Sequence, residues 1–168
     1  VENLKLFLAA VGASGGTGLV LIEGVSPEKV DDIPSERVEV DAGMLKEEME
    51  KFNEDGEGII VLGCPHLGLD EVQEIVEWIG KRGRAKRKIY LYTSRDVARM
   101  YEDKRKKLEE LNIYMFADTC MVVSNLFAYG SRSVITDSGK AAFYLSSKGY
   151  NVSLVPRKII LERIAVSD

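Results

Sequence analysis

The sequence predicts an α/β fold of three layers, α/β/α, built on a mainly parallel sheet. Three observations carry that prediction. Short runs of β-forming residues alternate with segments of helical periodicity of 10 to 18 residues. No repeat, linker or low-complexity segment interrupts the alternation. A length of 168 residues suits one domain with a substantial core, so 1–168 reads as a single α/β domain.

In chain order, Asn3 to Val11 reads as a helix with Leu4, Phe7, Leu8 and Val11 on one face, stopped by Gly12-Ala13-Ser14-Gly15-Gly16. Leu19 to Ile22 follows as a buried strand and Arg37 to Val40 as a short one. Leu45, Met49 and Phe52 mark a helix closed by Asn53-Glu54-Asp55-Gly56. The central strand is Gly58 to Leu62, and its carboxyl end turns sharply at Gly63-Cys64-Pro65-His66. A helix from Asp70, its expected N-cap, to Gly80 carries Val72, Ile75, Val76 and Ile79 as an apolar stripe. Lys88 to Tyr92 is a strand, with Thr93 and Ser94 placed to cap a helix that runs to about Leu111. Val97, Tyr101, Lys104, Leu108 and Leu111 lie near one face of that helix. Ile113 to Phe116 is a strand leading into Ala117-Asp118-Thr119-Cys120. Ser133 to Ile135 is another, turning at Thr136-Asp137-Ser138-Gly139-Lys140 into a helix through about Lys148. Val152 to Val155 and Lys158 to Ile164 close the chain as strands.

Composition narrows the function. A net charge of −4 argues against general nucleic-acid binding, and the basic run Lys81 to Lys88 suits a solvated helix end. No apolar run approaches the ~20 residues of a membrane span. Leu4 to Val11 lacks the basic lead-in of a signal peptide. Two cysteines without secretory features point to a reducing, cytoplasmic compartment, where thiols serve as ligands, nucleophiles or buried fillers.

Cys64 and Cys120 both stand at carboxyl ends of strands, the edge where open α/β sheets bind ligands. Each alone fits a small buried hydrophobe as well as a ligand. A metal or cluster site needs three or four protein ligands, and two cysteines with the single histidine, His66, fall short. His66 reads equally as a turn histidine bonded to backbone or as a proton donor. Beside Cys64 it also suggests a Cys-His pair, although residues so close on a tight turn diverge. The Thr136 to Lys140 turn opens a helix, where free N–H groups attract anions, so Thr136, Ser138, Gly139 and Lys140 suit a carboxylate or phosphate. The spacing is not that of a P-loop, and the glycines at 12–16 precede a strand rather than follow one, so neither forms a nucleotide cradle.

These motifs together resemble the aconitase X family. The matching stretches are Leu4 to Glu28, Leu62-Gly63-Cys64-Pro65-His66, Ala117 to Val123 and Thr136-Asp137-Ser138-Gly139-Lys140-Ala141-Ala142, in the family's order over nearly the whole chain. Asp137, Gly139 and Phe143 depart from its usual pattern. The resemblance implies an aconitase-like domain, equivalent to the C-terminal half of a large catalytic subunit about twice this length. It implies iron, as an iron–sulfur cluster or a mononuclear ion, held through three cysteines. Cys64 and Cys120 match two of those, and the third ligand is expected outside this chain. The activity implied is dehydration of a hydroxy acid. An archaeal branch acts on mevalonate 5-phosphate, the preferred assignment, and a bacterial one on cis-3-hydroxyproline. His66 would then assist the leaving group. The expected partners are the missing N-terminal half and a small swivelling subunit, with the isolated domain inactive. A stand-alone cysteine enzyme using Cys64 with His66, and a non-catalytic α/β binding module, are the competing readings. An interface with the missing half is expected to expose an apolar patch around Leu126 to Tyr129.

Overall fold

The computed structural model describes residues 2–28, 34–52, 58–125 and 132–165. Its centre is a strand of nine residues, Ile59–Leu67 (β1), whose first half is apolar on both faces. Ile89–Thr93 (β2) pairs with it on one side and Ser133–Thr136 (β4) on the other. Ile113–Ala117 (β3) extends the sheet beyond β2, and Asn151–Leu154 (β5) extends it beyond β4. The order is therefore β3-β2-β1-β4-β5, and every pairing is parallel. The chain builds outward from β1 to β3, then restarts beside β1 at β4. That reversal is a topological switch point at the carboxyl ends of β1 and β4, the place where open α/β sheets bind ligands.

Period-two alternation divides the core. Ile60, Leu62, Leu67, Ile89, Leu91, Ile113 and Ile135 face one side, where Leu69–Arg82 (α3) lays down Val72, Ile75 and Ile79. Ile59, Val61, Cys64, Tyr90, Tyr92, Val134 and Val152 face the other, against Ala141, Ala142 and Leu145 of Gly139–Ser147 (α6). Helices thus cover both faces, as the three-layer prediction requires. Glu2–Gly15 (α1) reaches from Lys5, bonded to Glu71 at the start of α3, to Ala10, which touches Gly139 at the start of α6.

Several expected elements are different. Leu19 to Ile22 and Arg37 to Val40 form no regular structure and join no ladder among the described residues, and Leu19 and Val38 are 75% and 81% exposed. Val20 and Ile22 are half-buried, while Leu19, Val38 and Val40 face outward. Ala42–Glu50 (α2) forms where expected, capped by Asp41, yet buries nothing. β1 does not turn at Cys64 but continues to Leu67, and Gly68 rather than Asp70 caps α3, because Glu71 reaches back to accept the Gly68 N–H at 2.8 Å. The expected helix to Leu111 is broken into Arg95–Arg99 (α4), a 3-10 turn at Glu102–Lys104, and Arg105–Glu110 (α5). The break falls at Tyr101, which is anchored in the core and bonded to Ala98 by an i−3 link. Lys158 to Ile164 is helical, not a strand. Pro156 opens Arg157–Ile159 (α7), which continues as a π-helical turn, Ile160–Ala165. Ile160, Leu161 and Ala165 pack with α3, and Leu161 O accepts from the Trp78 indole. The expected patch at 126–129 lies outside the described residues.

Candidate functional site

The site is assembled by an irregularity in β1. Leu62 pairs with Leu91 and Leu67 with Thr93, so five residues of β1 cover a distance that β2 covers in two. The excess, Gly63 to His66, is pushed out at the carboxyl edge of the sheet. Thr93 pins its far end by donating to Leu67 O at 2.6 Å. The Cys64–Pro65 peptide is cis. β3 delivers the second cysteine. Asp118 turns the chain in a left-handed conformation, which aspartate tolerates, and its carboxylate binds the Arg95 N–H and guanidinium. Thr119 and Cys120 follow, and Ser124 ties the loop by donating to Cys120 O at 2.8 Å. Lys148, beyond the end of α6, donates to Val122 O.

Cys64 and Cys120 come within hydrogen-bonding reach of each other. Cys64 is buried beside Tyr92 and Met121, while Cys120 is half-buried. The hydrogen bond from Cys64, acting against partial burial, brings the Cys120 thiol down from an ordinary 9 to about 5. The Val122 and Val123 N–H groups and the Lys140 charge assist. Cys64 is pushed strongly upward by that same bond, by burial and by the Cys120 charge. Cys120 is therefore the more acidic thiol of the pair. Two soft donors at one point suit iron or an iron–sulfur cluster, and both bind a metal as thiolates. Among the described residues no third histidine, cysteine, aspartate or glutamate completes a metal group. The pair fits part of a ligand set.

His66 and the helix turn are placed around these thiols. His66 is exposed, and its Nε2 lies 2.6 Å from Thr119 O. A carbonyl only accepts, so Nε2 carries the proton and His66 ties the Cys64 segment to the Cys120 loop. Ser138 is buried; its hydroxyl donates to Cys64 O and accepts the Ala141 N–H at 3.1 Å, capping α6. Thr136, also buried, accepts the Ser138 N–H at 3.3 Å. Gly139 and Lys140 form the first turn of α6, whose leading N–H groups have no partner within the helix. The structure thus gathers all seven sequence-predicted site residues at one edge. It commits the Ser138 hydroxyl and Thr136 Oγ1 to holding the turn.

Sequence reading missed an ionic chain beside them, buried at Asp137 and Arg157 and half-buried at Lys5. Arg157 donates from Nε to Asp137 at 2.6 Å and from a terminal nitrogen to Glu71 at 2.9 Å. Glu71 also binds Lys5, which in turn donates to His66 O at 3.0 Å. Burial raises the Asp137 carboxyl, with Arg157 only partly offsetting it. Glu71 is lowered, because Gly68, Lys5 and Arg157 together outweigh its burial. The two shifts run in opposite directions because burial dominates at Asp137, whereas Glu71 has Gly68 and Lys5 as partners besides Arg157. Asp137 is the more deeply buried of the pair. Asp137 and Lys5 lay in stretches that the sequence marked, Glu71 and Arg157 in none. Lys5, Glu71 and Arg157 sit on helical segments where a charge ordinarily signals solvent.

A family profile described as the aconitase X third domain matches residues 58–165. The large subunit of phosphomevalonate dehydratase from Aeropyrum pernix is 38% identical over 159 residues, covering 91% of this chain and 39% of the relative. The corresponding Thermococcus kodakarensis subunit is 36% identical over 160 residues, with 91% and 41% covered. The crystal structure of Thermococcus kodakaraensis aconitase X, described as its holo-form, superposes with a TM-score of 0.84 at 32% identity. That match covers 97% of this chain and 44% of the solved one. The chain thus spans about two fifths of the length of the relatives it matches.

Proposed function

The chain belongs to the aconitase X family, and we propose that it supplies part of the active site of a hydro-lyase that dehydrates a hydroxy acid, mevalonate 5-phosphate. The observation that carries this reading is the meeting of Cys64 and Cys120, delivered from β1 and β3 to one edge. Relatives named as phosphomevalonate dehydratase large subunits support the substrate, and the short span of the match supports partners. Those partners are the preceding half of the large subunit, which would bring a third iron ligand, and a small swivelling subunit. Residues 1–168 act as one unit, a reading supported by the bonds from Lys5 of α1 into β1 and α3. The setting is a reducing cytoplasm, consistent with two free cysteines. No helix among the described residues is long and apolar enough to cross a membrane.

Cys64 and Cys120 would hold iron as a cluster or a single ion. When bound, the metal supplies Lewis acidity toward a leaving hydroxyl. This chain's own residues do the rest of what we assign here. The first-turn amides of α6 at Gly139 and Lys140, with the Lys140 charge, bind the substrate's carboxylate or phosphate. Ser138 and Thr136 fix the turn that presents those groups. His66 holds the Cys120 loop through Nε2–H, and it gives up a proton to a leaving group only after Nδ1 has been protonated.

The test is anaerobic iron and sulfide loading of the chain, alone and assembled with the preceding half and the small subunit, followed by assay of water loss from mevalonate 5-phosphate. Iron bound by the assembly, and lost in both Cys64→Ala and Cys120→Ala, is the expected result. Iron retention in either variant would separate that thiol from the metal site. An iron-loaded assembly that leaves mevalonate 5-phosphate intact would refute the substrate.

A further inference from the structure

The buried charges beside the thiols have no part in the chemistry just assigned, yet they close a loop around it. Ser138 grips Cys64 O, and its neighbour Asp137 is gripped by Arg157. Arg157 holds Glu71, Glu71 holds Lys5, and Lys5 holds His66 O. The His66 ring holds Thr119 O, next to Cys120. Each link crosses from one element to another: the β4–α6 turn, α7, α3, α1, the β1 bulge and the β3 loop.

Arg157 is the pivot. Its side chain is 9% exposed and that of Asp137 is 2% exposed. Its guanidinium fork spans two carboxylates that sit on different strands' connections. Buried ion pairs are a poor source of net stability, so a chain of four charges calls for another role, and fixed geometry is the best attested one. Here the geometry is that of the bulge that carries Cys64. Cys64 lies between the ladder pairs at Leu62 and Leu67, and a bulge can relax unless its main chain is held from outside.

We propose that Arg157 and Glu71 are positioning residues for the cysteine pair, setting the separation of the Cys64 and Cys120 sulfurs through the hydrogen-bonded loop of Asp137, Lys5 and His66. The proposal concerns the same site as the function proposed above but rests on the thiol geometry, whether or not the pair holds iron. Charge alone would not suffice: Arg157→Lys has no planar fork to bridge Asp137 and Glu71 at once.

Phenylarsine oxide reads sulfur separation without iron. Its arsenic(III) forms two As–S bonds, and its oxygen leaves as water with both thiol protons, so no electrons are transferred. Tight uptake requires both sulfurs within bridging distance. The 168-residue chain should take up one equivalent with loss of both free thiols, and Cys64→Ser and Cys120→Ser should abolish tight binding. Arg157→Met and Glu71→Gln should weaken it by roughly 10-fold to 100-fold, the size of effect that outer-shell partners have on bound metals. Arg157→Lys should fall between, and Arg99→Met, on an exposed pair at α4, should match the wild type. Wild-type affinity in folded Arg157→Met and Glu71→Gln overturns the proposal, even if their urea midpoints fall, because that is the behaviour of a purely structural network. If Arg157→Met does not fold, Glu71→Gln and Lys5→Met decide by the same criterion. Failure to load iron would defeat the proposed function and leave this result untouched.

Discussion

At Gly63 the backbone of β1 comes so close to β2 that a Cβ would lie 2.1 Å from Tyr92 O, and φ is +107°. Gly63→Ala combines left-handed strain with a collision against a strand that is itself fixed on both sides. The expected loss is about 2–5 kcal/mol, read from urea unfolding. Ser138 matters in another way. Its hydroxyl is the N-cap of α6 and the partner of the Cys64 carbonyl, both in the interior. Ser138→Ala removes the cap and strands that carbonyl, and about 2–4 kcal/mol should be lost in the same assay. The sequence marked Ser138 as an anion-binding residue because it stands where a helix opens. It could not mark the bond to Cys64 O, since nothing local joins positions 64 and 138. The cysteine pair was legible for a related reason: both thiols stand just past strand-forming runs, and parallel strands deliver such positions to one edge.

Among elements, the five strands of the sheet were legible because parallel strands are buried on both faces and read as continuous β-forming runs. The same signal misled at Leu19 to Ile22, Arg37 to Val40 and Lys158 to Ile164. Apolar runs report an appetite for burial, not a place in a ladder, and the last of these satisfies it as a helix against α3. The join between α3, α7 and the β4–α6 turn carries a pH signature. Glu71 lies below its ordinary 4.5 in the folded chain, so it contributes stability above that value and loses it as pH falls through the folded value. Asp137 lies above its ordinary 3.8, so the folded state binds the extra proton there, and stability declines as pH rises from 3.8 through the folded value. Unfolding free energies measured from about pH 3 to about pH 8 should separate the two contributions. Glu71→Gln should flatten the acid-side loss, and Asp137→Asn should remove the decline with rising pH. A Glu71→Gln profile as steep on the acid side as that of the wild type would show that its ion pairs do not persist in solution.

Across the whole molecule, stability should be graded from the sheet outward. β1 and β2 are buried on both faces, and their amides bond to neighbours on both sides, so they should open only with global unfolding. α1 is held at two points, by Lys5 and by Ala10, and should open at intermediate cost. α2 is different: nine residues, capped by Asp41, with none buried. A helix that short has no stability of its own in water, and among the described residues it buries no side chain fully to supply any. Its amides should therefore exchange at an opening free energy near zero in this chain, as should the unpaired stretches at 17–22 and 36–41. Native-state hydrogen exchange resolved by residue makes the comparison directly. Adding the preceding half proposed above provides the control: Met44, Leu45, Val38 and Val40 are exposed here, and protection gained at α2 on assembly would mean that those side chains are buried at that interface. Protection of α2 in the isolated chain, equal to that of β1, would contradict the graded picture and require a packing partner for α2 within the 168 residues.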